Sequence, residues 1–198
     1  MCIRDRYTYK FTSYELVDLP GTYSLLASSE EERVARDYLC FENYDCVVCV
    51  VDATNLERNL NLVLQVLELT DKVVLLLNLC DEAKKKNIEI DTSVLSESLG
   101  IPVVRATARS GRGINELLEV SHQIANDTLT NESATMYYAN TIEDAVRQVS
   151  KGLKCELETD KKLRFFALRL LENDDSFNQS FKNNFSGEIL QNGNIRAK

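Results

Sequence analysis

Tyr14-Glu15-Leu16-Val17-Asp18-Leu19-Pro20-Gly21 reads as a strand that runs into a carboxylate and then a Pro-Gly turn. The same grammar returns downstream, where the apolar run 73–77 leads into Asn78-Leu79-Cys80-Asp81. A third strand end, Ala106-Thr107-Ala108, precedes Gly111-Arg112-Gly113-Ile114. Working outward, apolar runs alternate with amphipathic segments from residue 14 to 126. Strands are predicted over 14–17, 44–51, 73–77 and 102–106, with 7–11 pairing to the first of these through a turn near Thr12-Ser13. Helices are predicted over 30–40, 56–69, 94–99 (ending at Gly100) and 114–124. Continuous Val/Ile/Leu strands separated by helices imply an α/β fold, a mostly parallel sheet with helices on both faces. Ligands of such sheets bind at the carboxyl ends of the strands. Asp18, Asp52, Asn78 and Thr107 all lie at or just after those ends.

Past residue 126 the pattern changes. Residues 127–135 are polar and linker-like, and 142–153, 161–171 and 176–184 read as helices with no strand between them. A small all-α domain is therefore expected over 136–185, following an α/β domain over 7–126. The tail 186–198 reads as disordered. Met1-Cys2-Ile3-Arg4-Asp5-Arg6 looks like a translated sequencing adapter, so residues 1–6 are set outside the expected fold.

A formal charge of −8 argues against a nucleic-acid partner, which needs a basic face. Lys84-Lys85-Lys86 reads as a solvated helix end rather than a phosphate or lipid site. Cys46 and Cys49 form a C-x-x-C within an apolar strand, where residues three apart point to opposite faces. That spacing suits two small buried hydrophobes better than one shared metal. His122 is the single histidine, which excludes a histidine-based metal site. No run approaches the roughly 20 apolar residues that span a bilayer.

The chemistry of the strand ends is specific. A carboxylate at Asp18 could hold Mg²⁺ directly or through water, and Gly21 would let its backbone N–H approach a terminal phosphate. Asp81 can accept from both N1–H and the 2-amino group of guanine, a pair that adenine lacks. Asn78 can bond guanine N7 and tie neighbouring loops together. Small residues at Ala106, Thr107 and Ala108 let a backbone N–H reach guanine O6. Each also has a purely structural reading: a strand-ending Asp with a turn glycine, a helix N-cap at Asp81, a strand-to-helix turn. Three in order, each after an apolar strand, point to a fold derived from a GTPase.

Longer phrases narrow the resemblance. Residues 17–25 (Val-Asp-Leu-Pro-Gly-Thr-Tyr-Ser-Leu), 31–39, 51–60 (Val-Asp-Ala-Thr-Asn-Leu-Glu-Arg-Asn-Leu) and 78–86 resemble the bacterial ferrous iron transporter FeoB, over about residues 7–125. Residues 136–185 resemble, more weakly, the helical domain that links its G domain to the membrane permease. The resemblance implies a GTP/GDP- and Mg²⁺-binding G domain on the cytoplasmic face of the inner membrane, coupled to a permease domain of the same parent chain that carries Fe²⁺. It gives Asp18 the Mg²⁺-linked role and Gly21 the γ-phosphate contact. Thr22 falls where many related enzymes place a water-orienting Gln, with a hydroxyl too short to replace it. Asn78 and Asp81 read guanine, and Thr107 with Ala108 supports the base.

No Gly-x-x-x-x-Gly-Lys-Ser/Thr occurs in the 198 residues. In the family pattern a first strand, that P-loop, its helix and switch I should come before residue 7. Losing three charge-assisted hydrogen bonds of about 1.5 kcal/mol each would weaken binding roughly a thousandfold. This chain is therefore expected to bind GTP weakly or not at all, to be inactive alone as a GTPase, and to expose apolar sheet surface. Two further readings stay open: a nucleotide-independent scaffold or binding module, and another bacterial G protein of the ribosome or tRNA-modification type.

Overall fold

The computed structural model describes residues 3–26, 29–153 and 159–185. At its centre is the strand Val73–Asn78, whose residues Val73 to Leu77 are at most 5% exposed. Burial on both faces is what a continuous Val/Leu run in a parallel sheet predicts. In chain order the strands are β1 (Ile3–Tyr9), β2 (Thr12–Asp18), β3 (Val47–Asp52), β4 (Val73–Asn78) and β5 (Val103–Arg105). Strand β4 pairs in parallel with β3, Val47 opposite Val73 through Asp52 opposite Asn78, and with β5, Leu75 opposite Val103. The expected α/β class holds. The sheet is divided, however: β1 and β2 form a separate antiparallel ladder, not hydrogen-bonded to the three parallel strands. No strand among the described residues lies between β2 and β3. Leu16 on β2 and Val50 on β3 are accordingly 54% and 59% exposed.

The hairpin differs from its expected form in two ways. Its turn is at Lys10-Phe11, both with positive φ (45° and 64°), and Tyr9 faces Thr12. Two-residue hairpin turns of this kind favour Asn or Gly, so Lys-Phe gives no sequence signal. The first strand also includes Ile3 to Arg6, which pair with residues 15–18. Residues set outside the fold on their resemblance to an adapter thus take part in a ladder.

Among the described residues this unit also holds five α-helices: α1 (Glu30–Phe41), α2 (Leu56–Leu67), α3 (Cys80–Lys85), α4 (Thr92–Leu99) and α5 (Ile114–Ala125). Ser29 caps α1 by accepting from Glu32 N, ahead of three glutamates in the first turn. Asp91 caps α4, and Gly100 ends it at φ +67°. Against the sheet, Val74, Leu76, Val104, Ala106 and Ile124 form one core, joined by Cys46, Val48, Leu117 and Val120. The segment read as a linker is tied down. Asn131 Nδ2 donates to Asp71 O and Val73 O, Ser133 hydroxyl donates to Asp71 Oδ1 at 2.7 Å, and Ala134 N donates to Leu99 O. Its polarity serves these backbone and carboxylate partners, which composition alone does not distinguish from solvent.

The chain divides into compact units at residues 135 and 136. The second unit holds α6 (Asn140–Leu153), α7 (Asp160–Glu172) and α8 (Asp175–Asn184). Thr159 and Asp174 cap the last two, which is why the helices begin a residue or two before the apolar periodicity does. Phe165, Phe166, Phe177 and Phe181 are each at most 2% exposed and pack edge-on or stacked. Arg164 pairs with Glu143 at 2.7 Å, joining α7 to α6. The tail read as disordered, 186–198, lies outside the described residues. Among the described residues no helix is long and apolar enough to cross a membrane.

Candidate nucleotide-binding site

The ends of β4 and β5 build one loop cluster. Ala106 N donates to Leu77 O at 2.8 Å and Cys80 N to Ala106 O at 3.2 Å, so the two chains leave the sheet together. Asn78 Oδ1 accepts from Ala108 N at 3.1 Å, and Asn78 O accepts from Ala53 N at 2.9 Å. Since Oδ1 serves Ala108, the amide's Nδ2 is left as a donor, the group that guanine N7 requires. The chain then turns at Leu79, φ +59°, and enters α3. Leu79, not Asp81, stands at the N-cap, with no side-chain cap bond. The capping role read for Asp81 is therefore absent. Its carboxylate is exposed in the first helical turn and makes no hydrogen bond to the described residues. Lys84, Lys85 and Lys86 form an exposed helix end, with Lys85 paired to Glu82.

The second loop is closed by its own backbone. Thr107 pairs with Arg112 across a short bridge, enclosing a 3-10 turn over Ala108–Ser110. Gly113 has φ +85°, and a Cβ there would lie 2.1 Å from Arg105 O. Only glycine fits that position. Sequence spacing does not predict the 3-10 turn, although Gly111 and Gly113 are its signal.

The segment from Asp18 to Leu25 is built differently. Asp18 closes β2 opposite Ile3 and is exposed. Apart from Gly21 itself and its two chain neighbours, no atom lies within 4 Å of where a Cβ on Gly21 would stand. Nothing in the protein's own packing demands glycine there, which leaves room for an outside group. Thr22 hydroxyl donates to Ser24 O at 2.6 Å and accepts from Ser24 N at 3.1 Å, so it is engaged in a local turn. Two residues that sequence reasoning misses hold the segment from Tyr23 to Leu25. Gln65 Oε1 accepts from Leu25 N at 2.6 Å, and the Arg58 guanidinium lies 4.1 Å over the Tyr23 ring. Asn78 and Cys80 are hydrogen-bonded to Ala108 and Ala106, and Asp81 follows Cys80 at the start of α3. Asp18, Gly21 and Thr22 sit on the separate hairpin's continuation, with no hydrogen bond to that cluster among the described residues.

Among the described residues no group of three or more His, Cys, Asp or Glu side chains comes together to hold a metal; Asp18 is a single exposed carboxylate that could take Mg²⁺ directly or through water. The cysteine strand does not compete: burial pushes the Cys46 thiol up to about 11 and Cys49 to about 12, so both stay protonated. His122 on α5 instead meets the Tyr14 hydroxyl, and Asn126 Nδ2 reaches the same hydroxyl at 3.3 Å.

Comparison with known proteins places these features in a family. The family model described as ferrous iron transport protein B matches residues 3–121, and that of the FeoB cytosolic helical domain matches 138–195. The Fe(2+) transporter FeoB of Campylobacter jejuni is 50% identical over 111 residues, 56% of this chain and 18% of the relative. Among solved structures, the cytosolic domain of T. maritima FeoB in a GDP form superposes with TM-score 0.79 at 36% identity, covering 91% of this chain and 71% of that one. Its GMPPNP form superposes with TM-score 0.77 at 36% identity, covering 90% and 71%. This chain spans about a fifth of the length of the curated relatives it matches.

Proposed function

The chain belongs to the ferrous iron transport protein B family, and from that membership we propose that it supplies the guanine-nucleotide-binding part of a ferrous iron transporter. The observation that carries the proposal is the base loop. Asn78 is fixed by Ala108 N, its Nδ2 is left as a donor, and the Asp81 carboxylate beside it is exposed without a hydrogen-bonded partner among the described residues. That pair of polar groups matches the N7 and the N1–H/2-amino edge of guanine, which adenine does not present. Relatives solved with GDP and GMPPNP support the same ligand class.

In this reading Asp18 holds Mg²⁺ and Gly21 offers its N–H to the terminal phosphate. Residues 106–108 support the base. Thr22 contributes through the turn it closes with Ser24 rather than through a free hydroxyl. The partner is a membrane permease domain of the same parent chain, at the cytoplasmic face of the inner membrane, where nucleotide turnover is coupled to Fe²⁺ uptake. A net charge of −8 argues against a nucleic-acid partner. With no Gly-Lys-Ser/Thr cradle in these residues, affinity in this chain is about a thousandfold below that of a complete site.

Titration of the 198-residue chain with GDP and ADP, followed by amide NMR, tests this. GDP at millimolar concentration should shift residues 78–81 and 106–108, ADP should not, and Asp81→Ala should abolish the response without moving the melt. Equal responses to the two nucleotides would refute the guanine reading.

A further inference from the structure

Helix α2 buries Val63, Val66 and Leu67 against the sheet. Arg58 and Gln65 are not part of that buried set. They lie seven residues apart, two helical turns, and so share one face. That face meets the segment just past the Pro-Gly turn. Gln65 Oε1 accepts from Leu25 N at 2.6 Å and from the Ser24 hydroxyl at 3.3 Å. Arg58 lies 4.1 Å over the Tyr23 ring. Leu25 is 2% exposed, Leu26 N donates to Ser24 Oγ at 3.0 Å, and Thr22 closes its turn onto Ser24. Asp18 to Gly21 is thus strung between the end of β2 and an anchor on α2.

Among the described residues no strand ladder takes part in that anchor. It consists of one neutral amide acceptor, one ring-to-guanidinium contact and one buried leucine. Contacts of this size can be exchanged when a ligand offers the turn a better partner. We propose that Gln65 and Arg58 are positioning residues that hold the phosphate-sensing turn docked on α2, and that a terminal phosphate reaching Gly21 must compete with this docking. The assignment rests on the nucleotide reading above. It gives a reason for Gln at 65: a carboxylate there would accept the Leu25 N–H more strongly and resist release.

Amide hydrogen exchange of the 198-residue chain tests it, with GDP and GMPPNP as probes. In Gln65→Met the Leu25 amide should exchange roughly tenfold faster, while Gln65→Glu should exchange at the parental rate or slower. Arg58→Met, at an exposed position, should loosen Tyr23 and Ser24 with an unchanged melt, and serves if Gln65→Met fails to fold. Releasing the dock should also raise the affinity for GMPPNP relative to GDP by about three- to tenfold. An unchanged Leu25 exchange rate in Gln65→Met, or no Tyr23 response in Arg58→Met, would overturn the docking. A parental preference for GMPPNP over GDP that neither variant alters would overturn its link to phosphate. If neither nucleotide affects the unsubstituted chain, the guanine reading itself fails, whatever the exchange rates show.

Discussion

The candidate base loops grow out of β4, which is paired on both sides and buried from Val73 to Leu77, and out of its neighbour β5, whereas the turn proposed to sense phosphate grows out of β2, paired only to β1. The first region inherits its geometry from backbone ladders and core packing. The second is held by side chains: Gln65 and Arg58 beyond the turn, and on the hairpin Tyr14 against His122 and Tyr9 against Glu119. A base has only to be recognised, so its site can be rigid. A phosphate that comes and goes has to be answered by movement, and moving elements come from the less stable parts of a fold.

Core truncation breaks the comparison most directly. Leu75 is fully buried in β4, and Leu75→Ala should cost roughly 2–5 kcal/mol in denaturant or thermal unfolding. Leu16→Ala on the exposed face of β2 should stay within about 0.5 kcal/mol. Equal losses at the two sites would mean that the hairpin is as deeply packed as the parallel sheet.

Gly113→Ala comes next. Its φ of +85° and the 2.1 Å approach of a Cβ to Arg105 O force the loop to shift, at a cost on the order of 1–3 kcal/mol. The expected signature is faster amide exchange at Thr107 and Ala108, with the hairpin unaffected.

Asn78 separates structure from recognition on a smaller scale. Asn78→Ala removes the acceptor for Ala108 N and should lower stability by about 0.5–1.5 kcal/mol. Asn78→Asp keeps an acceptor for Ala108 while losing the Nδ2 donor, so the melt should hold and the response to GDP should fall. If Asn78→Asp keeps the parental GDP response, Nδ2 is not the N7 donor.

The parallel strands are legible because burial on both faces writes an unbroken apolar run, as in residues 73–77, and their ends name the candidate base residues. The helices are legible through their spacing, while caps such as Thr159 and Asp174 shift their starts from the expected positions. The features that escape a sequence reading depend on partners distant in the chain. Gln65 looks like any polar helix residue until Leu25 N, 40 positions away, is placed against it. Asn131 and Ser133 read as linker because their partners at Asp71 and Val73 are some 60 positions off. The Lys10-Phe11 turn lacks the residues its dihedrals favour. Asp81 has the residue type of a cap, but the left-handed turn at Leu79 takes that role away.

The hairpin's second attachment yields the smallest and most condition-dependent effect. Lys10 Nζ lies 2.6 Å from Glu119 on α5, and Tyr9 hydroxyl donates to the same carboxylate at 2.8 Å. Lys10 first, then Tyr9, hold the Glu119 carboxyl down at about 2, against an ordinary value of 4.5. A depressed carboxyl contributes stability above its unfolded pKa and loses it as pH falls through the folded one. The contact should therefore be intact above about pH 4.5 and lost between there and about pH 2. On the alkaline side Lys10 and Tyr9 both titrate higher because of Glu119, so their share is present below pH 10 and fades as they deprotonate. Both partners are partly exposed, at 50% and 34%, so added salt should shrink the effect. NMR titration of the Glu119 carboxyl, with amide exchange at Tyr9 and Thr12, would measure it, and Glu119→Gln should remove the acid transition. An acid transition in the hairpin centred near 4.5 would mean that the lysine pair does not persist in solution, leaving Tyr14 and His122 to hold β2 against α5.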